Sequence, residues 1–465
     1  MKDVRRGPAA SEEARHRGLN RHGCVRVVGA ALVLGGGITF AATGAGASAK
    51  RPAASLPGSL HGTLTIAPGN VLMTMMAPVI KAYERYQPGL TVKVEPWAWS
   101  DPPTPLLTDK LGGTLPDVLQ TFDVATPALV ADGVDANLTP YLNSRDFYPK
   151  SYWLRNFLAS YVMNAGPNRG KVYAVPQEAD ATVIYYNQDM FRAAGVPFPS
   201  ANWTWSQMLA DAKKLEKFSG GKQVRWGVAD TPDWQAVYNP LIKALGGQAF
   251  GPKSAGLDSS AAIKAWSMLV GPTETGQFAP YSLQLSPPGP GAGVLFQTGQ
   301  VAMYVGVRAQ LPGVRAATKG KFNFNVAPMP YVLPGKRPTG AGSVCWGITT
   351  QDKNIKASLN FLHWLYSANG GMKILEAGYG VVPAIPSQFG PKAVWRHLPG
   401  PPQNTGAFVA AASTGLVAPQ VPGTVFSVAS SDIPKAIEAV VDSHESIKQA
   451  FTTLNQQVDA AYSGG

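Results

Sequence analysis

Cysteine is nearly absent from this chain of 465 residues. The only two, Cys24 and Cys345, lie most of the sequence apart, which excludes a disulfide framework and leaves no thiolate cluster for a metal. Histidine is scarce too: past residue 50 only His61, His363, His397 and His444 occur. No H-E-x-x-H, G-x-S-x-G, Walker loop or C-x-x-C is present, so no catalytic residue, no metal and no cofactor is expected. Charged residues make up just 15% of the chain against 45% hydrophobic, which excludes a disordered or fibrous protein. No repeat of 20 to 50 residues is visible, so solenoids and propellers are excluded. Beyond the amino-terminal region no apolar run is long enough to span a bilayer.

The net charge of +12 raises the question of nucleic acid. Seven basic and three acidic residues precede residue 27, however, and the remainder carries 33 basic against 25 acidic side chains, a thinly spread +8. Phosphate tracking needs clustered cations, and no run of Lys/Arg there exceeds two. No nucleic-acid partner is expected.

The amino terminus reads as an address. Residues 1–49 combine a basic region ending at Arg26, an uncharged apolar stretch and the site Ala47-Ser48-Ala49, the pattern of an export signal cut before Lys50. An uncleaved anchor is the alternative, but Gly35 to Gly37 and many alanines make a weak spanning helix. Cys24 precedes the apolar region, so no lipobox cysteine is present. The protein is therefore expected outside the cytoplasm, with residues 50–61 as a flexible leader.

The length argues for two or more cores, and 50 glycines with 40 prolines imply turn-rich connections. A strand is expected at 63–67, then a helix with Met76, Val79, Ile80 and Tyr83 on its apolar face, then strands at 91–95 and 117–122. This alternation predicts a parallel sheet flanked by helices, with Gly69, Asn70, Trp97, Trp99 and Asp123 at the ligand-bearing ends of its strands. Further on, 183–186 is a strand, Thr204 to Gln207 fits a capping box, and 301–304 and 322–328 are strands. A helix is expected over 355–368 and a single last helix over 433–461. The glycines of 286–293 lack the flanking strand and helix of a nucleotide loop and read as a surface turn.

Val175-Pro176, Tyr185-Tyr186-Asn187, Asp189, Phe191, Gly195-Val196-Pro197 and Thr204-Trp205 together resemble the central signature of the extracellular solute-binding proteins, family 1. Leu115 to Val118, Leu138 to Leu142, Val301 to Met303, Ala327 to Pro330 and Gly342-Ser343 agree in order, so the likeness covers about residues 62–462. The resemblance implies an α/β fold of two lobes, the type II periplasmic-binding-protein fold, each lobe a mixed sheet flanked by helices and hinged by crossing strands. Carried onto this chain, the amino-terminal lobe takes 58–182 plus 341–400 and the other 183–340 plus 401–465. Crossings fall near 180–186 and 331–343. It implies a monomer that captures a carbohydrate in the inter-lobe cleft and delivers it to the membrane permease subunits of an ABC importer, with no chemistry of its own.

A sugar needs flat aromatic faces and hydroxyl acceptors. Trp97 and Trp99 alternate and so face one way. Trp346 follows a glycine corner where relatives present an aromatic, and Trp234 follows the polar stretch Asp230 to Asp233. Asp123 and Asp180 sit where a carboxylate can accept hydroxyl bonds, and Arg308 can fork onto a hydroxyl pair or an anion. Asn70, Tyr304, Ser343 and Tyr379 complete the candidate set, with Trp346 and Asp180 expected to share one hollow. Trp203, Trp205, Trp266 and Trp364 are read as packing. Two alternatives stand beside a neutral sugar. One is a receptor of the same fold for an anionic solute, such as a glycerol phosphate ester or uronic acid. The other is an exported glycan-active hydrolase pairing Asp123 with Asp180 or Glu178.

Overall fold

A computed structural model describes residues 60–98, 103–144 and 147–463, so the export segment 1–49, most of the leader and Trp99 lie outside the described residues. The described chain begins with the sequence logic intact. The helix Met73–Tyr86 buries Met76, Val79, Ile80 and Tyr83, the stripe its periodicity demands. That face covers a five-stranded sheet built from β1 (Gly62–Ala67), β2 (Leu90–Val94), β3 (Val118–Phe122), β4 (Ala174–Pro176) and a late arrival, β12 (Val344–Ile348). The order is β2-β1-β3-β12-β4.

The first three strands run parallel, as βαβ spacing requires, with Leu64 opposite Val92 and Ile66 opposite Val118. The sheet as a whole departs from the parallel expectation, because β12 runs antiparallel to both neighbours, with Trp346 opposite Gln120 on β3 and Val175 on β4. The physical reason is the route: β12 arrives from the second lobe and enters from the opposite end.

The second lobe is built on β6 (Val183–Asn187), β7 (Lys217–Ser219), β8 (Lys222–Ala229), β9 (Val301–Gly306) and β10 (Phe324–Pro328) in the order β10-β6-β9-β8-β7. Its helices include Trp205–Leu215, opened by the capping box: Thr204 Oγ1 accepts from Gln207 N–H at 3.3 Å and Gln207 Oε1 from Thr204 N–H at 2.8 Å. Trp266 stacks on Phe451 with ring centres 4.1 Å apart, joining helices Ser260–Glu274 and Ile447–Ser463. Each large side chain so buried contributes about 1.5–3 kcal/mol. The single last helix expected over 433–461 is two, Gly423–Val441 and Ile447–Ser463. The polar run Asp442 to Ser446 offers no apolar face to pack, and His444 turns there at φ +55°.

Between the two sheets the chain crosses twice. It leaves β4 through β5 (Asp180–Ala181) into β6, and returns from β10 through β11 (Gly340–Gly342) into β12. These short crossings pair antiparallel, Ala341 opposite Ala181, and β13 (Leu416–Val417) adds a third, parallel strand. The glycine at 340 is required by close approach: a Cβ there would lie 2.0 Å from the carbonyl oxygen of Ala236. Among the described residues no helix is long and apolar enough to cross a membrane.

Candidate functional site

The two crossings floor a cavity of about 430 Å³ walled by both lobes. From the first lobe come Phe122, Asp123 and Val124 off the carboxyl end of β3. From the crossings come Glu178, Asp180, Gly340 to Gly342, Ser343 and Val344. The second lobe adds Val307 beyond β9 and Trp234, Gln235 and Ala236 at the start of helix Gln235–Ala244. Sheet-end loops facing a crevice where the chain changes sheets are where an α/β fold places its ligand.

The carboxylates dominate. Asp123 Oδ1 accepts from the N–H of Val124 at 3.0 Å, and burial pushes its acid up to about 7 against that bond and the amide of Ser343. Asp180 Oδ1 accepts from Ala309 N–H at 3.0 Å; burial raises it, while that amide and the Arg308 guanidinium oppose. Glu178 is raised chiefly by burial and next by the charge of Asp180. Its Oε2 accepts from Gln177 Nε2 at 2.9 Å, and its backbone N–H donates to Ser343 Oγ at 3.3 Å. Gln177 is itself held, its Oε1 accepting from Gln120 Nε2 at 2.7 Å and from the Trp346 indole at 2.8 Å.

Of the residues expected from sequence, the structure brings together Asp123, Asp180, Trp234 and Ser343 at the cavity. Trp234 is half-buried and packs along the edge of the second lobe's core. The others lie elsewhere. Trp346 is fully buried in the first lobe's core, edge-on to Phe361 at 5.5 Å, so Trp346 and Asp180 do not share a hollow. Two residues beyond the cavity wall, β12 has become the middle of a sheet, and residue 346 is covered there by the helix Ile355–Leu365. Trp97 is also core: its backbone bridges to Gly69, and its indole donates to the Gln120 carbonyl at 2.8 Å.

Tyr304 packs beside Tyr185 and Phe296, with ring centres 5.6 and 5.9 Å away, on the covered face of β9. Asn70 is exposed at a turn outside the cavity lining, its Oδ1 accepting from Val71 N–H at 2.8 Å. Tyr379 donates to the Thr74 carbonyl at 2.6 Å, stitching two helices. Arg308 is buried behind Asp180 with its guanidinium 4.6 Å from the Trp395 ring centre, and desolvation lowers it to about 10. It therefore acts on the cavity through charge. Sequence reasoning named Glu178 only for the hydrolase alternative, not among the sugar contacts, and missed Gln235 as a lining residue. The available signal was the polar cluster Gln177 to Asp180 directly ahead of a crossing.

With this geometry in hand, comparison with known proteins gives the class. The profile of the bacterial extracellular solute-binding proteins matches residues 70–372, and the chain belongs to that family. A binding protein of Brucella abortus is 33% identical over 150 residues, 32% of this chain and 34% of that one, so the match spans only about a third of the relative's length. The multiple sugar-binding protein of Streptococcus mutans is 28% identical over 159 residues, 34% of this chain and 33% of its own. The sn-glycerol-3-phosphate-binding periplasmic protein of Yersinia pseudotuberculosis is 24% identical over 270 residues, 54% of this chain and 58% of its own. Among solved structures, an ABC substrate-binding protein of Listeria monocytogenes in complex with cycloalternan superposes with a TM-score of 0.75 at 21% identity, covering 87% of this chain and 100% of that one. The fold is the two-lobed, type II periplasmic-binding-protein fold.

Proposed function

We propose that this protein is the exported receptor of an ABC importer and that the cavity between its lobes holds an oligosaccharide. The observation that carries the reading is the lining itself: the Trp234 ring beside Asp123, Glu178, Asp180 and Ser343 offers one flat apolar face and a set of hydroxyl acceptors. The sugars carried by the Listeria and Streptococcus relatives support the same ligand class. The lobes divide as 58–182 plus 341–400 and 183–340 plus 401–465, and close by bending at β5 and β11. Contacts from both lobes favour the closed form, which then docks on permease subunits of the membrane. Residues 1–49 serve as the export signal, and the receptor acts as a monomer that releases its sugar unaltered.

The glycerol phosphate named for the Yersinia relative raises an anionic ligand as a second reading. Three carboxylates in the wall, with no lysine or arginine among the described lining residues, weigh against it. A thermal-shift screen against neutral and charged sugars tests the proposal: a sugar at 100 times its dissociation constant stabilises by about 2.7 kcal/mol. A screen in which glycerol 3-phosphate alone raises the melting temperature reverses the assignment, and recovery of a cleaved glycan replaces the receptor by an enzyme.

A further inference from the structure

The cavity is more acidic than a neutral sugar requires. Glu178 is only 5% exposed yet faces the cavity. Gln177 engages its Oε2, and Oε1 has no hydrogen-bond partner among the described residues. Asp180 stands close enough for its charge to disfavour ionisation of Glu178, and Asp123 completes the wall. The nearest cation, Arg308, is stacked on Trp395 behind Asp180, outside the lining. Nor do these groups form a metal site: among the described residues no set of three acidic, histidine or cysteine side chains is arranged to hold an ion.

Resting on the sugar reading above, we infer that the preferred ligand is a basic sugar, an oligosaccharide carrying a free amine whose ammonium group binds between Glu178 and Asp180. An ammonium brings three donors, enough to engage the free Oε1 of Glu178 and an Asp180 oxygen together, and its charge relieves their mutual repulsion. A neutral hydroxyl supplies the hydrogen bond but does nothing to offset the burial and the Asp180 charge that disfavour ionisation of Glu178. An anionic sugar adds a further negative charge beside Asp180. The Trp234 face takes the apolar side of a ring in either case, so the amine decides affinity through charge.

The test is calorimetric titration of the intact protein with four probes: the glucosamine disaccharide, cellobiose, maltose and cellobiuronic acid. The amine disaccharide is expected to bind at least about tenfold tighter than any neutral probe, and the acid is expected not to bind. Glu178→Gln is expected to bring the ratio of amine to neutral affinity to about one, and Asp180→Asn does the same should the first variant fold poorly. Neutral probes binding as tightly as the amine overturn this inference and leave the sugar reading standing. If no probe binds and the wider sugar screen is also silent, both fall together.

Discussion

The indole Nε1 of Trp346 donates to Gln177 Oε1 at 2.8 Å, and Gln177 in turn donates from Nε2 to Glu178 at 2.9 Å. Trp346 thus fixes a cavity carboxylate from within the core, without touching the cavity. Replacing it by phenylalanine keeps a ring and removes the donor. W346F is expected to cost about 1–3 kcal/mol in chemical denaturation, from a lost buried hydrogen bond and lost volume. Its effect on sugar affinity is expected to be a few-fold. A variant of unchanged stability that has lost all binding would instead place the ring against ligand.

Trp234 is the converse case. Its ring is half-buried and forms part of the cavity wall, ahead of helix Gln235–Ala244. Aromatic anchors at the centre of a binding site are where truncation costs most, about 2 kcal/mol or more. W234A is expected to weaken sugar binding at least tenfold by titration while the melting temperature of the free protein moves little. Equal losses in both measurements would make Trp234 a packing residue.

These two tryptophans mark how far the sequence could be read. Local chemistry was legible: the Thr204–Gln207 capping box and the buried stripe of helix Met73–Tyr86 depend on residues a few positions apart. Asp123, Asp180, Trp234 and Ser343 were legible from their places at strand ends and beside turns. Trp346, Trp97 and Tyr304 were not, because a tryptophan or tyrosine at a strand end reads alike whether the pleat turns it to a cleft or a core. Only the neighbouring strands decide that, and β3, β4 and β12 come from distant parts of the chain. Glu178 lies in the irregular link between β4 and β5, where no periodicity marks the residue that faces inward.

The crossing strand β11 depends on a missing side chain. Any Cβ at residue 340 meets the carbonyl oxygen of Ala236 at 2.0 Å, and backbone cannot rotate aside as a flexible side chain would. G340A is expected to push β11 off helix Gln235–Ala244 at a cost of about 1–3 kcal/mol. Small-angle scattering on the folded variant is expected to show weaker compaction on adding sugar than the parent shows. Wild-type stability would mean that the helix shifts freely.

Thr204 supplies a control remote from the cavity. Its hydroxyl and the Gln207 amide cap the helix Trp205–Leu215 reciprocally. T204A is expected to lower stability by about 1 kcal/mol, with sugar affinity unchanged by titration. A change in affinity would couple this helix to the cleft.

Stability of the free protein is expected to fall as pH rises, because a carboxyl group outside the cavity lining is buried without adequate partners. Asp135 is 3% exposed, and its Oδ2 has no hydrogen-bond partner among the described residues. Burial pushes its acid up to about 7, from an ordinary value of 3.8. The folded state therefore holds a proton that the unfolded chain has already released between those limits. The stability from Asp135 is fully present below pH of about 4 and is lost as pH climbs through about 7, by an amount on the order of 1–4 kcal/mol. Asp123, also raised to about 7 but facing the cavity, adds a smaller slope of the same sign because water reaches it. Urea denaturation from pH 4.5 to 7.5 checks this, with Asp135→Asn as the comparison. The variant should lose Asp135's share of the decline, since its amide carries no proton to release, while the remainder stays with the other carboxyls that burial also raises, Asp230 and Glu178 among them. An equal slope in both proteins would mean that Asp135 is already ionised in the fold, held by solvation that its burial does not reveal.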